Sequence, residues 1–182
     1  MPCATLWNLA LLAEALLSVL ALEAGSKEGA VASANEALSA FEPKYQAARI
    51  AGLRRKLGLY TEREGDGALA EDLLRCLAAS GTDFTLTFRR LCDAAASPEG
   101  DTEMRRLFAD PGAYDGWAAG WRRCLDEESA DRQARAALIR SVNPAVIPRN
   151  HLEEAALDAA SQQQDFRPFE ELLNAVSRPY EE

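Results

Sequence analysis

The sequence predicts an all-α protein, an irregular bundle of about eight or nine amphipathic helices in a single domain spanning 1–182. Three observations support this prediction. Apolar residues recur at spacings of three and four, no segment sustains a strand-like alternation, and glycine, proline or aspartate stands at most segment boundaries. With 48% hydrophobic and 27% charged residues, the composition is typical of a soluble globular protein that buries its own core.

The first segment, which ends at Gly25, is strongly apolar. It lacks a positively charged start, and Asn8 and Glu14 interrupt it, so it makes a poor signal peptide and a poor membrane span. We interpret it as an amphipathic core helix. Its apolar positions are Leu6, Leu9, Ala13, Leu16, Leu17 and Leu20.

The second helical run begins near Lys27 and ends at Gly58, and Pro43 marks a kink or a restart within it. A polar loop at 60–67 is predicted to be mobile. Asp66 is a candidate cap for the helix that follows this loop.

The stretch from Thr82 allows two interpretations. Phe84, Leu86 and Phe88 alternate with threonines like a strand. The apolar pattern that fits a helix capped by Thr82 or Asp83 lasts longer, so we predict a helix.

A second loop predicted to be mobile spans 96–102, where Asp101 is a candidate cap for a short helix. Trp117 and Trp121 then lie four residues apart in a compact apolar stripe. The next helix is predicted to face the core through Ala134, Leu138 and Val142. A hinge at 143–149 leads to the last two helices.

The formal net charge of −9 argues against binding to nucleic acid or to anionic membranes, since both would repel the chain. Arginines nevertheless occur in four adjacent pairs. Their stems can cover the edges of apolar stripes, or the pairs can compose an anion- or partner-binding face. The pairs are Arg54–Arg55, Arg89–Arg90, Arg105–Arg106 and Arg122–Arg123.

No catalytic or metal-binding constellation is evident. The four cysteines form no Cys-x-x-Cys pair, which disfavours zinc and suits a reducing cytoplasm. Gly65–Gly67 is the single glycine-rich stretch and lacks the lysine of a phosphate-binding loop. His151 is the chain's one histidine, with no second histidine to complete a zinc motif. We therefore expect no catalytic, cofactor-binding or metal-binding residue in this chain.

Five segments, taken in order, resemble the C-terminal helical part of the selenoprotein O family, which is the YdiU family of bacteria. The resemblance extends from about Leu6 to Glu182. It implies the C-terminal part of a kinase-like protein that transfers AMP from ATP to protein hydroxyls with magnesium. The segments are Leu6–Leu17, Asn35–Leu59, Thr82–Leu91, Arg140–Ala160 and Asp165–Glu182.

The resemblance places the catalytic machinery upstream of this region, and none of the family's nucleotide or metal ligands maps onto a residue here. It therefore implies that ATP and magnesium belong to the full-length protein. The implied partners are the upstream kinase-like domain and, through it, protein substrates. The implied role is structural or regulatory.

Within the resemblance, Asn143, Pro144, Arg149 and Asn150 match a structural signature of the family. The motif departs from its usual form by losing a lysine and a tyrosine and by gaining Pro148. We expect this stretch to be a corner that fixes the last helices. A buried Arg149 would need acceptors, because an unpaired buried charge is costly.

Two other functions remain open from the sequence. An independent helical interaction module would use Trp117, Trp121, Arg89 and Arg90 as its partner surface, since aromatic and arginine residues dominate interface energetics. A small hydrolase built around His151 is the weaker alternative.

Overall fold

The computed structural model describes residues 2–181 and, within them, side chains from Ala4 onward. This part of the chain forms ten α-helices and no strand, which confirms the all-α prediction. The helices are α1 (Pro2–Ala24), α2 (Lys27–Ser39), α3 (Phe41–Lys56), α4 (Asp66–Ser80), α5 (Phe84–Ala96), α6 (Gly100–Leu107), α7 (Pro111–Asp126), α8 (Arg132–Val142), α9 (Asn150–Gln163) and α10 (Arg167–Ser177).

The described residues hold one or two helices more than the sequence analysis counted. The run around Pro43 is divided into α2 and α3 at Ala40, and Pro43 lies in the first turn of α3, where its missing N–H costs nothing. The ambiguous stretch after Thr82 is helix α5. Asp83 caps it, because its side chain accepts a hydrogen bond from the backbone N–H of Leu86 at 2.8 Å.

The chain divides into two compact units, 1–52 and 53–182. The first unit pairs α1 with α2. Within its described residues only the small side chains of Ala30 and Ala34 are buried. The first unit therefore has almost no core of its own.

The core of the second unit is continuous. Trp117 and Trp121 of α7 stack with ring centroids 5.4 Å apart, and Tyr114 and Phe108 extend the aromatic cluster. The buried apolar residues are Leu53, Leu57, Leu59, Ala70, Leu73, Leu77, Phe88, Leu91, Cys92, Ala94, Ala95, Met104, Phe108, Tyr114, Trp117, Ala118, Trp121, Leu125 and Ile139.

Helix α1 is not the amphipathic core helix that the sequence predicted. None of its residues with described side chains is buried, and Trp7, Leu11 and Leu22 are exposed, outside the groove that α1 forms with α2. By length and composition Ala4–Ala24 could cross a membrane, which the sequence analysis had discounted. A helix that is apolar all round needs cover on every side.

The core-facing side of α8 was also misassigned. Ala134 is exposed and Leu138 and Val142 are half-buried, whereas the buried side consists of Arg135, Ala136 and Ile139. The error has a physical cause. The sequence analysis counted arginine among the residues that face water, yet Arg135 is buried and donates hydrogen bonds to backbone carbonyls.

The loop at 60–67 is tied to its surroundings by polar contacts. Thr61 donates to Glu128 through both its backbone N–H and its hydroxyl, at 3.0 Å each. Asp66 does not cap α4 with its side chain. Its carboxylate instead accepts from the backbone N–H of Arg63 and pairs with Arg54 at 3.1 Å.

Candidate functional site: the Asn143 junction

Asn143 ends α8 and is fully buried. Its side-chain oxygen accepts a hydrogen bond from Lys56 Nζ at 2.9 Å, and its side-chain nitrogen donates to the Lys56 backbone carbonyl at 3.0 Å. Burying an amide without such partners costs about 1–3 kcal/mol. The reciprocal pair therefore fixes the end of α8 to the end of α3.

Lys56 neutralises the carbonyl end of α8. Its ammonium also donates to the Val142 carbonyl at 3.1 Å, where a helix C-terminus favours a cation. The rings of Phe84 and Phe88 lie 6.0 and 5.6 Å from Nζ. Desolvation by these surroundings lowers the pKa of Lys56.

Arg89 completes the same junction from α5. It is buried, and its Nη1 donates to the carbonyls of Arg140 and Asn143 at 3.2 and 3.1 Å. Its Nη2 donates to the Tyr180 carbonyl at 3.2 Å. One guanidinium group thus joins α5, the end of α8 and the C-terminal segment.

The segment after Asn143 is held from two sides. The backbone N–H groups of Ala145 and Val146 donate to the Pro179 carbonyl at 2.7 and 3.3 Å. Arg149 Nη2 donates to Asp83 Oδ2 at 2.7 Å. The bond from the Leu86 backbone N–H, followed by that from Arg149, lowers the pKa of Asp83.

The four signature residues have different environments. Asn143 is at the centre of the junction, and Arg149 forms its outer ion pair with a side chain that is 45% exposed. Pro144 is half-buried, and Asn150 is exposed at the first position of α9. The structure therefore brings two of the four into the junction through their side chains.

Three of the four residues of the candidate partner surface are buried. Trp117 and Trp121 are 6% and 0% exposed, and each indole N–H donates to a core carbonyl, of Leu69 and Leu57 respectively. Arg89 is buried in the junction. Arg90 alone is exposed, where it pairs with Asp93. The apolar spacing that suggested a hot spot is the spacing of a core stripe.

A second polar cluster escaped the sequence analysis. Asp101 does not cap α6. It accepts from the Tyr114 hydroxyl and from Arg122 Nη2, each at 2.5 Å. Burial, followed by the hydrogen bond to Asp101, raises the pKa of Tyr114. The sequence analysis had interpreted Asp101 as a helix cap, and no sequence pattern linked it to Tyr114, which lies 13 residues further along.

The junction has the chemistry of a structural joint. Its groups are the cations Lys56, Arg89 and Arg149, the carboxylate of Asp83 and the amide of Asn143, and they bond to backbone carbonyls or to one another. Burial raises the pKa of the Cys92 thiol to about 11, so that thiol is not activated. His151 is exposed, and within residues 4–181 no group of three or more metal-ligating side chains comes together.

Comparison with known proteins identifies the family. The family model described as "Protein adenylyltransferase SelO" matches residues 1–177. The chain belongs to the SelO family. Within it, the chain is 52% identical over 187 residues to the "Protein nucleotidyltransferase YdiU" of Methylorubrum populi, and 49% identical to that of Methylorubrum extorquens. The protein of the same name from Nitrobacter winogradskyi is 47% identical over 181 residues.

The match is complete for this chain but partial for the relatives. Each of these alignments covers 100% of the chain, whereas the chain spans 37% of the length of the two Methylorubrum proteins and 35% of the Nitrobacter protein. Membership of the SelO family confirms the resemblance that the five sequence segments indicated.

Proposed function

We propose that this chain is the C-terminal helical region of a SelO-family protein that transfers AMP from ATP to protein Ser, Thr or Tyr hydroxyls. In this proposal the region is a structural and regulatory platform, and catalysis, ATP and magnesium belong to the remainder of the protein. The family match over 1–177 and the 37% span support it. The proposed setting is the cytoplasm, with no nucleic acid or membrane partner.

The exposed apolar surface of α1 carries the proposal. Trp7, Leu11 and Leu22 lie on one side of this helix, and Leu22 is 85% exposed. Soluble proteins rarely leave so much contiguous apolar surface in water. We infer that the kinase-like part of the full-length protein covers this side of α1.

A second uncovered surface lies at the other end of the chain. Helices α9 and α10 enclose a groove of about 250 Å³, and no residue of α10 is buried. Phe169 and Leu173 are both about half exposed beside it. The groove is lined by Pro148, Glu153, Ala156, Phe169, Leu172, Leu173 and Val176. We propose that the kinase-like part of the full-length protein covers this groove as well.

A protein partner suits α1 better than a bilayer does. Glu14 lies in the middle of the helix, and a carboxylate at mid-membrane depth is costly. The chain's net charge of −9 would also be repelled by anionic lipid headgroups.

A chimeric enzyme tests the proposal. In the Methylorubrum populi protein, the matching region is replaced by this chain, and AMP transfer to a protein substrate is followed by intact mass. We expect transfer by the chimera with ATP and magnesium and none by the 182-residue chain alone. Leu11→Glu with Leu22→Glu should abolish transfer or assembly, whereas Ala137→Glu, at an exposed position of α8, should leave both unchanged.

Transfer by the isolated chain would contradict the proposal, as would full activity of the chimera carrying both glutamates. A flotation assay separates the membrane alternative. If the wild-type chain floats with phosphatidylcholine–phosphatidylglycerol vesicles and the double-glutamate variant does not, the apolar surface serves a bilayer and the proposed partner is wrong.

A further inference from the structure

A cavity of about 230 Å³ lies between α5, α7 and α8, and none of the side chains that form the Asn143 junction lines it. Its lining is polar and rich in arginine. The residues that line it are Ala95, Pro98, Arg122, Leu125, Asp126, Arg132 and Arg135. The lining thus holds three guanidinium groups and one carboxylate, although the net charge of the chain is −9.

Arg135 is the most unusual of these residues, because it is 5% exposed and has no carboxylate partner among the described residues. Its Nη2 donates to the carbonyls of Leu125 and Ala130 at 2.7 and 3.0 Å. Its Nε is buried and has no acceptor in the described part of the chain. The two carbonyls satisfy part of this buried guanidinium, and its Nε and its net charge remain to be matched by an anion.

The other two arginines differ in how far they are already satisfied. Arg122 pairs with Asp101 and donates to the Ala94 carbonyl at 3.2 Å, so its charge is balanced. Arg132 is exposed at the first position of α8 and forms no ion pair with any described residue. Asp126, also exposed, is the single acidic residue of the lining. Arg132 and Arg135 therefore leave positive charge unmatched.

We propose that this cavity binds a small phosphate-type oxyanion, either inorganic phosphate or the phosphate group of a small metabolite, through Arg132 and Arg135. Planar guanidinium groups match the geometry of phosphate oxygens and keep their charge at every physiological pH. The volume is nearly eight times the roughly 30 Å³ that one water occupies in the liquid, which accommodates a phosphate with bound waters.

Titration calorimetry of the 182-residue chain with inorganic phosphate, at constant ionic strength set by sodium chloride, tests the site. We expect saturable binding that Arg132→Gln weakens about tenfold, because one charge-assisted contact is lost. Asp126→Asn should tighten binding, since it removes the one repelling carboxylate. Arg123→Gln is the matched control, an exposed arginine on α7 outside the cavity, and should change nothing.

A parallel titration with AMP separates the two sources of phosphate. Tighter binding of AMP than of phosphate would assign the site to a phosphomonoester, and the reverse order would assign it to the free ion. No saturable binding of either probe would overturn the proposal. Binding that is unchanged by both Arg132→Gln and Asp126→Asn would also overturn it. These titrations do not use the chimera, so they can fail independently of the proposed function.

Discussion

Helices α1 and α7 are both rich in apolar residues, yet they have opposite environments. Helix α7 buries Tyr114, Trp117, Ala118, Trp121 and Leu125, whereas α1 buries none of its described side chains. The difference lies in which other helices of the chain pack against each one. Helix α7 packs against α4 and α6 of its own unit, whereas within the first unit α1 packs against α2. An apolar pattern therefore identifies a surface that must be covered, without saying which part of a protein covers it.

The contrast is tested most strongly by removing one tryptophan from each helix. We expect Trp121→Ala to lower the free energy of unfolding by about 3–5 kcal/mol, because a fully buried ring and its hydrogen bond to Leu57 are lost. Trp7→Ala should change it by less than about 0.5 kcal/mol, because that ring is 65% exposed. Urea unfolding of the 182-residue chain measures both. Equal losses would contradict the contrast.

A glycine pair tests how tightly the second unit is packed. A Cβ atom at Gly100 would overlap backbone atoms of Asp93 and Ala94, so Gly100→Ala should cost about 1–3 kcal/mol. At Gly116 of α7, such a Cβ would have no neighbour within 4 Å apart from adjacent residues and the backbone of its own helix. Gly116→Ala should therefore raise stability by about 0.5–1 kcal/mol through helix propensity. Thermal unfolding of the two variants measures both changes in stability. A Gly100→Ala variant as stable as wild type would contradict the close approach of Gly100 to the backbone of Asp93 and Ala94.

The junction predicts a difference between two signature asparagines. Asn143→Ala should lower the unfolding free energy by about 1–3 kcal/mol, because the half-buried Lys56 carbonyl loses its partner and the Lys56 ammonium keeps only the Val142 carbonyl. Asn150→Ala, at an exposed position, should stay within about 0.5 kcal/mol. Chemical denaturation of both variants is the measurement. If the two cost the same, Asn143 does not hold the junction.

Among the contacts of the junction, the ion pair should matter least: Arg149→Ala should cost at most about 1 kcal/mol, because the pair with Asp83 is half exposed and screened. The pKa of Asp83 is lower in the folded state, so its contribution is present above its unfolded pKa of about 3.9. That contribution is lost as pH falls through the lower folded value. The difference between Arg149→Ala and wild type should therefore be present at pH 6 and shrink below about pH 4. If the stability difference between Arg149→Ala and wild type grew as the pH fell, the Arg149–Asp83 ion pair would be contradicted.

Much of the fold could be predicted from local pattern. Spacings of three and four located the helices, and Asp83, one of the two caps offered for α5, is its cap, whereas Asp66 and Asp101 are not side-chain caps. The junction itself could only be outlined. Asn143 and Arg149 were identified through the family resemblance, whereas Lys56 and Arg89 were not placed there, because their partners are more than 50 residues away in sequence.

The errors share one physical origin. Burial depends on which elements meet, and sequence periodicity reports only which residues share a helix side. Trp117 looked like an interface residue because tryptophan is common in both settings. Arg135 was expected in water and lies inside, where backbone carbonyls accept from it.

Hydrogen exchange of the α1 amides tests the central claim most directly, that the rest of a SelO-family protein covers α1. The measurement compares the 182-residue chain with the Methylorubrum populi chimera. We predict that the α1 amides exchange at least about tenfold more slowly in the chimera, because opening of a covered helix costs more free energy. The amides of α7 should be equally protected in both proteins. Equal exchange of α1 in the two proteins would contradict the account.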